Sequence, residues 1–309
     1  MKVTRKVKDI LKNYEGDNVG TKTNLARILM QGKLAGTGKM IILPVDQGFE
    51  HGPARSFAPN PAAYDPHYHF QLAVDAGLSA YAAPLGMISA GADSFAGAVP
   101  TILKMNSANS LSSLESGDQA ITASVDDALR LGCSAIGFTI YPGSDNCYDM
   151  MEEFGALAEE AREKGLAVVL WSYARGGKVT SPDGETAIDT IAYAAHMAAL
   201  LGAHVIKVKL QTDFLDLPAA KKVYQDENID ISTLTKRVEH VVQSCFNGRR
   251  LVVFSGGGKK GDASLYDEAR AIRDGGGNGS IIGRNTFQRP REDALKMLAD
   301  MVSIYQGKL

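Results

Sequence analysis

Eight short apolar runs, each followed by a polar or Gly-rich turn and then a longer amphipathic stretch, dictate how this chain can fold. The runs are Met40–Val45, Ser79–Ala83, Val99–Met105, Ala135–Ile140, Ala167–Trp171, His204–Lys209, Leu251–Phe254 and Gly279–Ile282. Among the intervening stretches, Met151–Lys164 has helical periodicity and stops at Gly165, while Thr186–Leu201 is Ala-rich and is followed by Gly202. Thr233–Phe246 and Asp262–Asp274 are two further helices, the second with Asp262 as its expected N-cap. Such alternation marks βαβ units around a parallel sheet. The sheet can close into a barrel or stay open and doubly wound. An open sheet carries its Gly-rich fingerprint just after the first strand. Here the first run leads into PVDQGFEHGP, and the Gly-rich turns follow the last two runs. That position predicts an α/β chain folded as a (β/α)8 TIM barrel.

A length of 309 residues suits a single barrel domain spanning the whole chain, since such barrels commonly need about 250 residues. Residues 1–38 are then an N-terminal helical extension of one or two helices, closing the bottom of the barrel. The net charge of −2 provides no basic field for nucleic acid or an anionic membrane. No apolar run approaches the ~20 residues that span a bilayer, and the N-terminus MKVTRKVKDILKNYEG lacks the apolar core of a secretory signal. Cys133, Cys147 and Cys245 are odd in number and widely spaced, as expected of reduced thiols in a cytoplasm.

In a barrel, chemistry gathers where strands end at the C-terminal face. Lys207 is the sharpest feature there. In His204-Val-Ile-Lys-Val-Lys209 the strand period sends Val205, Lys207 and Lys209 to one side and His204 and Ile206 to the other. An ammonium facing a filled barrel interior is costly unless it is paired or sits at the mouth. Desolvation and nearby cations lower its pKa and free the amine to attack a ketone. The competing reading is a structural ion pair, with Asp46 as the candidate partner.

The Gly-rich ends Phe254-Ser255-Gly256-Gly257-Gly258 and Ile282-Gly283-Arg284-Asn285 form the second feature. Phosphate sites in barrels are often built by the loops after strands 7 and 8, with backbone N–H groups and an arginine on the phosphate oxygens. A tight turn is the plainer alternative. Arg175-Gly176-Gly177 is a third candidate anion site, and a bisphosphate needs two. Asp46 and Tyr173 could relay protons beside a Schiff base; taken alone, Asp46 reads equally well as a helix cap or ion-pair partner, and Tyr173 reads better as a wall residue. The six histidines show no metal-binding spacing, so no metal site is expected.

Together, Pro44-Val-Asp-Gln-Gly-Phe-Glu-His-Gly-Pro53, Leu170-Trp-Ser-Tyr-Ala-Arg-Gly176, Val205-Ile-Lys-Val-Lys209, Phe254-Ser-Gly-Gly-Gly258 and Gly283-Arg-Asn285 resemble the archaeal-type class I fructose-bisphosphate aldolases, the DhnA family. The resemblance runs from about Leu43 to about Gln288. It implies a metal-independent lyase without cofactor, forming its Schiff base at Lys207 rather than Lys209. Tyr173 matches the proton donor and acceptor, and Asp46 and Trp171 match residues lining the reacting centre. Lys104 and Arg175 match residues by the far phosphate. Ser255, Gly256, Gly257, Gly283 and Arg284 match the holders of the phosphate next to the ketone. It also implies a homo-oligomer acting on a sugar phosphate in glycolysis or gluconeogenesis. The extension of about 40 residues, the loop Ser56–Tyr68 and the stretch Thr212–Ser232 look like the longer bacterial branch. Two rival functions remain: a related Schiff-base synthase or thiolase acting on another ketose phosphate, and a non-catalytic sugar-phosphate-binding barrel.

Overall fold

A computed structural model of the protein describes residues 2–112, 117–177, 179, 183–256 and 261–309. Eight parallel strands close on themselves: β1 Met40–Pro44, β2 Ala80–Pro84, β3 Thr101–Lys104, β4 Ala135–Ile140, β5 Ala167–Ser172, β6 Val205–Lys209, β7 Leu251–Ser255 and β8 Gly279–Ile281. Each pairs with its sequence neighbour, and β8 returns to β1 through Met40 opposite Gly279. The expected (β/α)8 barrel is therefore present, and every expected strand lies within two residues of its predicted bounds.

Alternation along the strands sorts the core into two layers. Ile42, Ala82, Ile102, Val169, Trp171, Val205 and Val253 fill the barrel interior. Ile41, Leu43, Ile136, Phe138, Ile206, Val208 and Phe254 face outward onto the surrounding helices. Glycine is required where the interior is crowded. A Cβ on Gly137 would lie 2.4 Å from the Trp171 ring, and one on Gly279 would lie 1.9 Å from the Met40 carbonyl oxygen.

The N-terminal segment forms α1 Arg5–Lys12 and α2 Val19–Leu29, started by Thr4 and Asn18, whose side chains accept hydrogen bonds from Val7 N and Thr21 N. Val7, Tyr14, Leu25, Ile28 and Leu29 join the interior layer. The Tyr14 hydroxyl donates to the His204 carbonyl (2.7 Å) and accepts from Leu251 N (3.2 Å), tying together the starts of β6 and β7. The extension thus stoppers the end of the barrel opposite the strand C-termini.

Three local features differ from the sequence reading. Gly261, not Asp262, occupies the N-cap of the helix Asp262–Asp274; Asp262 is its first residue and pairs with Arg289. The long connections after β1 and β6 contain helices, including Pro53–Phe57, Pro66–Ala76 and Pro218–Asp226. A two-stranded antiparallel hairpin, Asn106–Ser107 with Ala120–Ile121, follows β3 and was not foreseen. Among the described residues, no helix is long and apolar enough to cross a membrane.

Candidate active site

Lys207 lies opposite Trp171 in the β5–β6 register, and its side chain enters the barrel mouth on the same inward row as Val205. It is only 4% exposed. Its Nζ stands 5.2 Å from the centre of the Trp171 ring and 5.5 Å from that of Tyr173. Among the described residues it makes no ion pair within 4.0 Å, so the structural pairing with Asp46 does not form. Burial lowers its pKa from 10.5 to about 8, opposed by the Asp46 and Glu50 carboxylates and assisted by Arg284. Lys209, two residues on, is 23% exposed at its side chain and held by Glu185. Lys209 is thus tied up in an ion pair, while desolvation leaves Lys207 able to become a free amine.

Asp46 follows β1 and occupies the N-cap position of the short helix Gln47–His51, yet its carboxylate makes no capping hydrogen bond. It lines one cleft with Tyr173 and Lys207, a space of about 260 Å³. Tyr173 follows β5, and its backbone N–H is fixed on the Ile140 carbonyl at 3.1 Å. Burial, then the negative charge of Asp46 and Glu50, pushes its phenol well above the usual range. A protonated phenol, an uncapped carboxylate and a desolvated amine facing one space form an acid–base set around a nucleophile.

The ends of β7 and β8 complete the cleft. Ser255, Gly256, Gly283 and Arg284 all line it. Gly283 caps the turn Arg284–Phe287, and a side chain there would meet the Pro44 carbonyl at 2.8 Å. Asn285 Nδ2 donates to the Gly256 carbonyl (3.3 Å) and ties the two loops together. Gly257 lies outside the described residues. Arg175 also lines the cleft; it lies 3.7 Å from Glu50 and 3.8 Å from Glu185, with its guanidinium 5.0 Å from the Tyr141 ring centre.

Two expected contacts take other positions. Trp171 is buried beside Lys207 instead of lining the cleft, and its indole N–H has no partner among the described residues. Lys104 does not line the cleft either. It is 3% exposed, 5.9 Å from the Trp171 ring, and donates to both the backbone and side-chain oxygens of Asn106. Asn106 in turn bridges to β4, accepting from Thr139 N and donating to the Thr139 carbonyl, each at 2.8 Å. An ammonium enclosed this way satisfies a buried network and is not extended toward a phosphate.

Glu50 and His51, in the short helix Gln47–His51 that follows β1, both line the cleft. Glu185 carried no sequence signal of its own. The available clue was Lys209: a second cation on the strand requires an acid, and Glu185 supplies it. Among the described residues, no group of three His, Cys, Asp or Glu could hold a metal ion. His67, His69 and His196 bind backbone carbonyls, His204 accepts from Val168 N, and His240 pairs with the Tyr224 hydroxyl.

Comparison with known proteins agrees with this geometry. The pattern of the DeoC/LacD family aldolases matches residues 40–289. A protein named fructose-bisphosphate aldolase class 1 from Thermoproteus tenax is 38% identical over 275 residues, covering 88% of this chain and 91% of that protein. One named probable fructose-bisphosphate aldolase class 1 from Chlamydia trachomatis is 36% identical over 299 residues, covering 91% of this chain and 83% of that protein. A solved Schiff-base-forming fructose-1,6-bisphosphate aldolase superposes with a TM-score of 0.72 at 35% identity, over 85% of this chain and 92% of that one. An archaeal fructose 1,6-bisphosphate aldolase gives 0.75 at 32% identity, over 96% and 99%. With a family match over most of the barrel and relatives this similar along nearly their whole length, the chain belongs to the DeoC/LacD family of aldolases.

Proposed function

We propose that this protein is a class I lyase that reversibly cleaves fructose 1,6-bisphosphate to dihydroxyacetone phosphate and glyceraldehyde 3-phosphate. The observation that carries the reading is the buried Lys207, without an ion-pair partner among the described residues, facing Asp46 and Tyr173 across one cleft. Its neutral amine adds to the C2 carbonyl, and loss of water leaves an iminium. That cation accepts the electron pair of the C3–C4 bond, so the reaction needs no other electron sink. Tyr173 takes the proton from the C4 hydroxyl as the aldehyde departs and hands its own phenol proton to Asp46 in the same relay, so the phenol stays protonated. The remaining enamine is protonated at C3, and water releases dihydroxyacetone phosphate from Lys207.

The phosphate next to the ketone rests on Ser255, Gly256, Gly283 and Arg284, where glycines admit backbone N–H groups to its oxygens and Arg284 adds charge. Trp171 packs on the Schiff-base lysine, and Arg175 faces the far end of the sugar. In this reading the whole chain works as one barrel domain, a cytoplasmic homo-oligomer serving glycolysis or gluconeogenesis. A second reading, a ketose carrying one phosphate, is favoured by the enclosure of Lys104, which leaves Arg175 as the far-end cation of the pair. Aldehyde release from fructose 1,6-bisphosphate and from fructose 1-phosphate, each assayed with a metal chelator present, separates the two. The bisphosphate should be cleaved with the higher kcat/KM. Equal values would favour the second reading, and no cleavage of either would overturn both.

A further inference from the structure

Two amines, not one, stand on the substrate side of β6. Lys207 and Lys209 share a face of the strand, and both line the cleft. In the β6–β7 register Lys207 lies opposite Val253 and Lys209 opposite Ser255. Lys209 is therefore next to the loop that the proposed function gives to the phosphate, and only about 6.6 Å of strand separates the two lysines. A ketose anchored by its phosphate at Ser255 and Gly256 presents its carbonyl to two long, flexible side chains. Chemistry confined to Lys207 requires a group that takes Lys209 out of play.

Glu185 is that group. Its carboxylate pairs with Lys209 Nζ, and the two side chains are only 27% and 23% exposed. A nitrogen donating in an ion pair has no lone pair to offer a carbonyl. Glu185 is held firmly for this task. It belongs to the turn Gly184–Thr186, where the Thr190 hydroxyl donates to the Gly184 carbonyl at 2.6 Å and Thr212 N donates to the Thr186 carbonyl at 2.8 Å. The helix Ile188–Leu200 fixes one side of the turn, and the segment after β6 fixes the other. Part-exposed ion pairs add little to stability, so the consequence of this one lies in reactivity. Lys207 is governed separately, first by burial and then by Asp46, Glu50 and Arg284.

We propose that Glu185 is a positioning residue that selects the nucleophile: by holding Lys209 it confines Schiff-base formation to Lys207, and without it Lys209 becomes a second, idle capture site for ketose phosphates. The inference rests on the Schiff-base reading of Lys207. At a released Lys209 the amine nitrogen bonds to the ketone carbon, the carbonyl oxygen leaves as water, and an imine remains. The Tyr173 ring packs on Lys207, so an imine one step farther out holds the ketose without cleaving it. Hydrolysis returns the ketose unchanged. Borohydride instead delivers a hydride to the imine carbon and leaves a stable secondary amine.

The test is borohydride trapping with dihydroxyacetone phosphate at pH 9.5, where an ordinary lysine is about one-tenth amine, with adducts mapped by mass spectrometry. The double variant Lys207→Met/Glu185→Gln should carry about tenfold more adduct on Lys209 than Lys207→Met does, the smaller factor that a hydrogen bond to a charged group commands. Glu185→Gln alone should be labelled on both lysines. Its kcat and KM for fructose 1,6-bisphosphate should fall by the same factor, leaving kcat/KM unchanged, because an idle binding mode competes only near saturation. A merely structural role for Glu185 instead lowers kcat/KM and adds no adduct. Equal Lys209 labelling with and without Glu185, or label on Lys207 alone in Glu185→Gln, would overturn the proposal. Either result beside a wild type labelled at Lys207 rejects the role of Glu185 alone, whereas a wild type that is never labelled rejects the Schiff-base reading itself.

Discussion

Replacing Lys207 by methionine should abolish activity and make the protein more stable. Burial lowers the lysine pKa from 10.5 to about 8, a displacement of about 2.5 units. At about 1.36 kcal/mol per unit, holding an ammonium at this position costs the folded state about 3 kcal/mol. Methionine keeps the length and apolar stem and removes the charge. Contacts of the ammonium with the faces of Trp171 and Tyr173 offset part of the gain, by roughly 0.5–2 kcal/mol. A net stabilisation of about 1–3 kcal/mol at pH 7 remains.

The sign of the pH dependence follows from the direction of the shift. Between pH 8 and 10.5 the unfolded lysine binds the proton and the folded one has released it, so wild-type stability rises with pH through that window. The charge-burial advantage of methionine is nearly complete below pH 8, about two-fifths as large at pH 9.5 and nearly gone above 10.5. Urea unfolding at pH 7 and 9.5 measures it. For 309 residues the unfolding entropy is roughly 0.65 kcal/mol/K, so the rise in Tm at pH 7 is about 2–5 °C. A methionine variant destabilised at pH 7, or a gain equally large at pH 9.5, would refute a strained, desolvated amine at residue 207.

Three further outcomes follow from the same site. With Lys207 near pKa 8, kcat/KM should climb about tenfold per pH unit below pH 7 and level off above 8; a profile flat from pH 6 to 9 would contradict this. Tyr173→Phe should lower kcat by about 10²–10⁴-fold while borohydride still traps the ketone adduct, because the phenol moves protons and forms no bond to carbon; near-normal kcat would remove it from the mechanism. Arg284→Ala should weaken inhibition by inorganic phosphate and raise KM, since one charge-assisted contact corresponds to about 1.5–3 kcal/mol; unchanged phosphate inhibition would move the phosphate elsewhere.

The barrel was legible because its strands obey simple rules. Eight apolar runs recur, and the Gly-rich turns follow the last two strands, where a barrel holds phosphate. Strand period alone put Lys207 and His204 on opposite sides of the strand, and the Lys207 side proves to be the inward row it shares with Val205. The choice between Lys207 and Lys209 was not readable from period, since both point the same way. It depends on Glu185, which lies 22 positions before Lys207 and reaches Lys209 only through the fold. The burial of Lys104 was equally hidden: its partner Asn106 belongs to a hairpin whose strands are two residues each, too short to leave a periodic signal. The N-terminal helices were visible, but the grip of Tyr14 on β6 and β7 joins residues 190 and 237 positions apart.

The most direct measurement is reduction with sodium borohydride in the presence of dihydroxyacetone phosphate, followed by peptide mapping by mass spectrometry. A single adduct on the His204–Lys209 segment, carried by Lys207 and missing from Lys207→Met, is the expected result. An adduct on Lys209 or Lys104, or a protein left unmodified while turning over substrate, would contradict the assignment of the nucleophile.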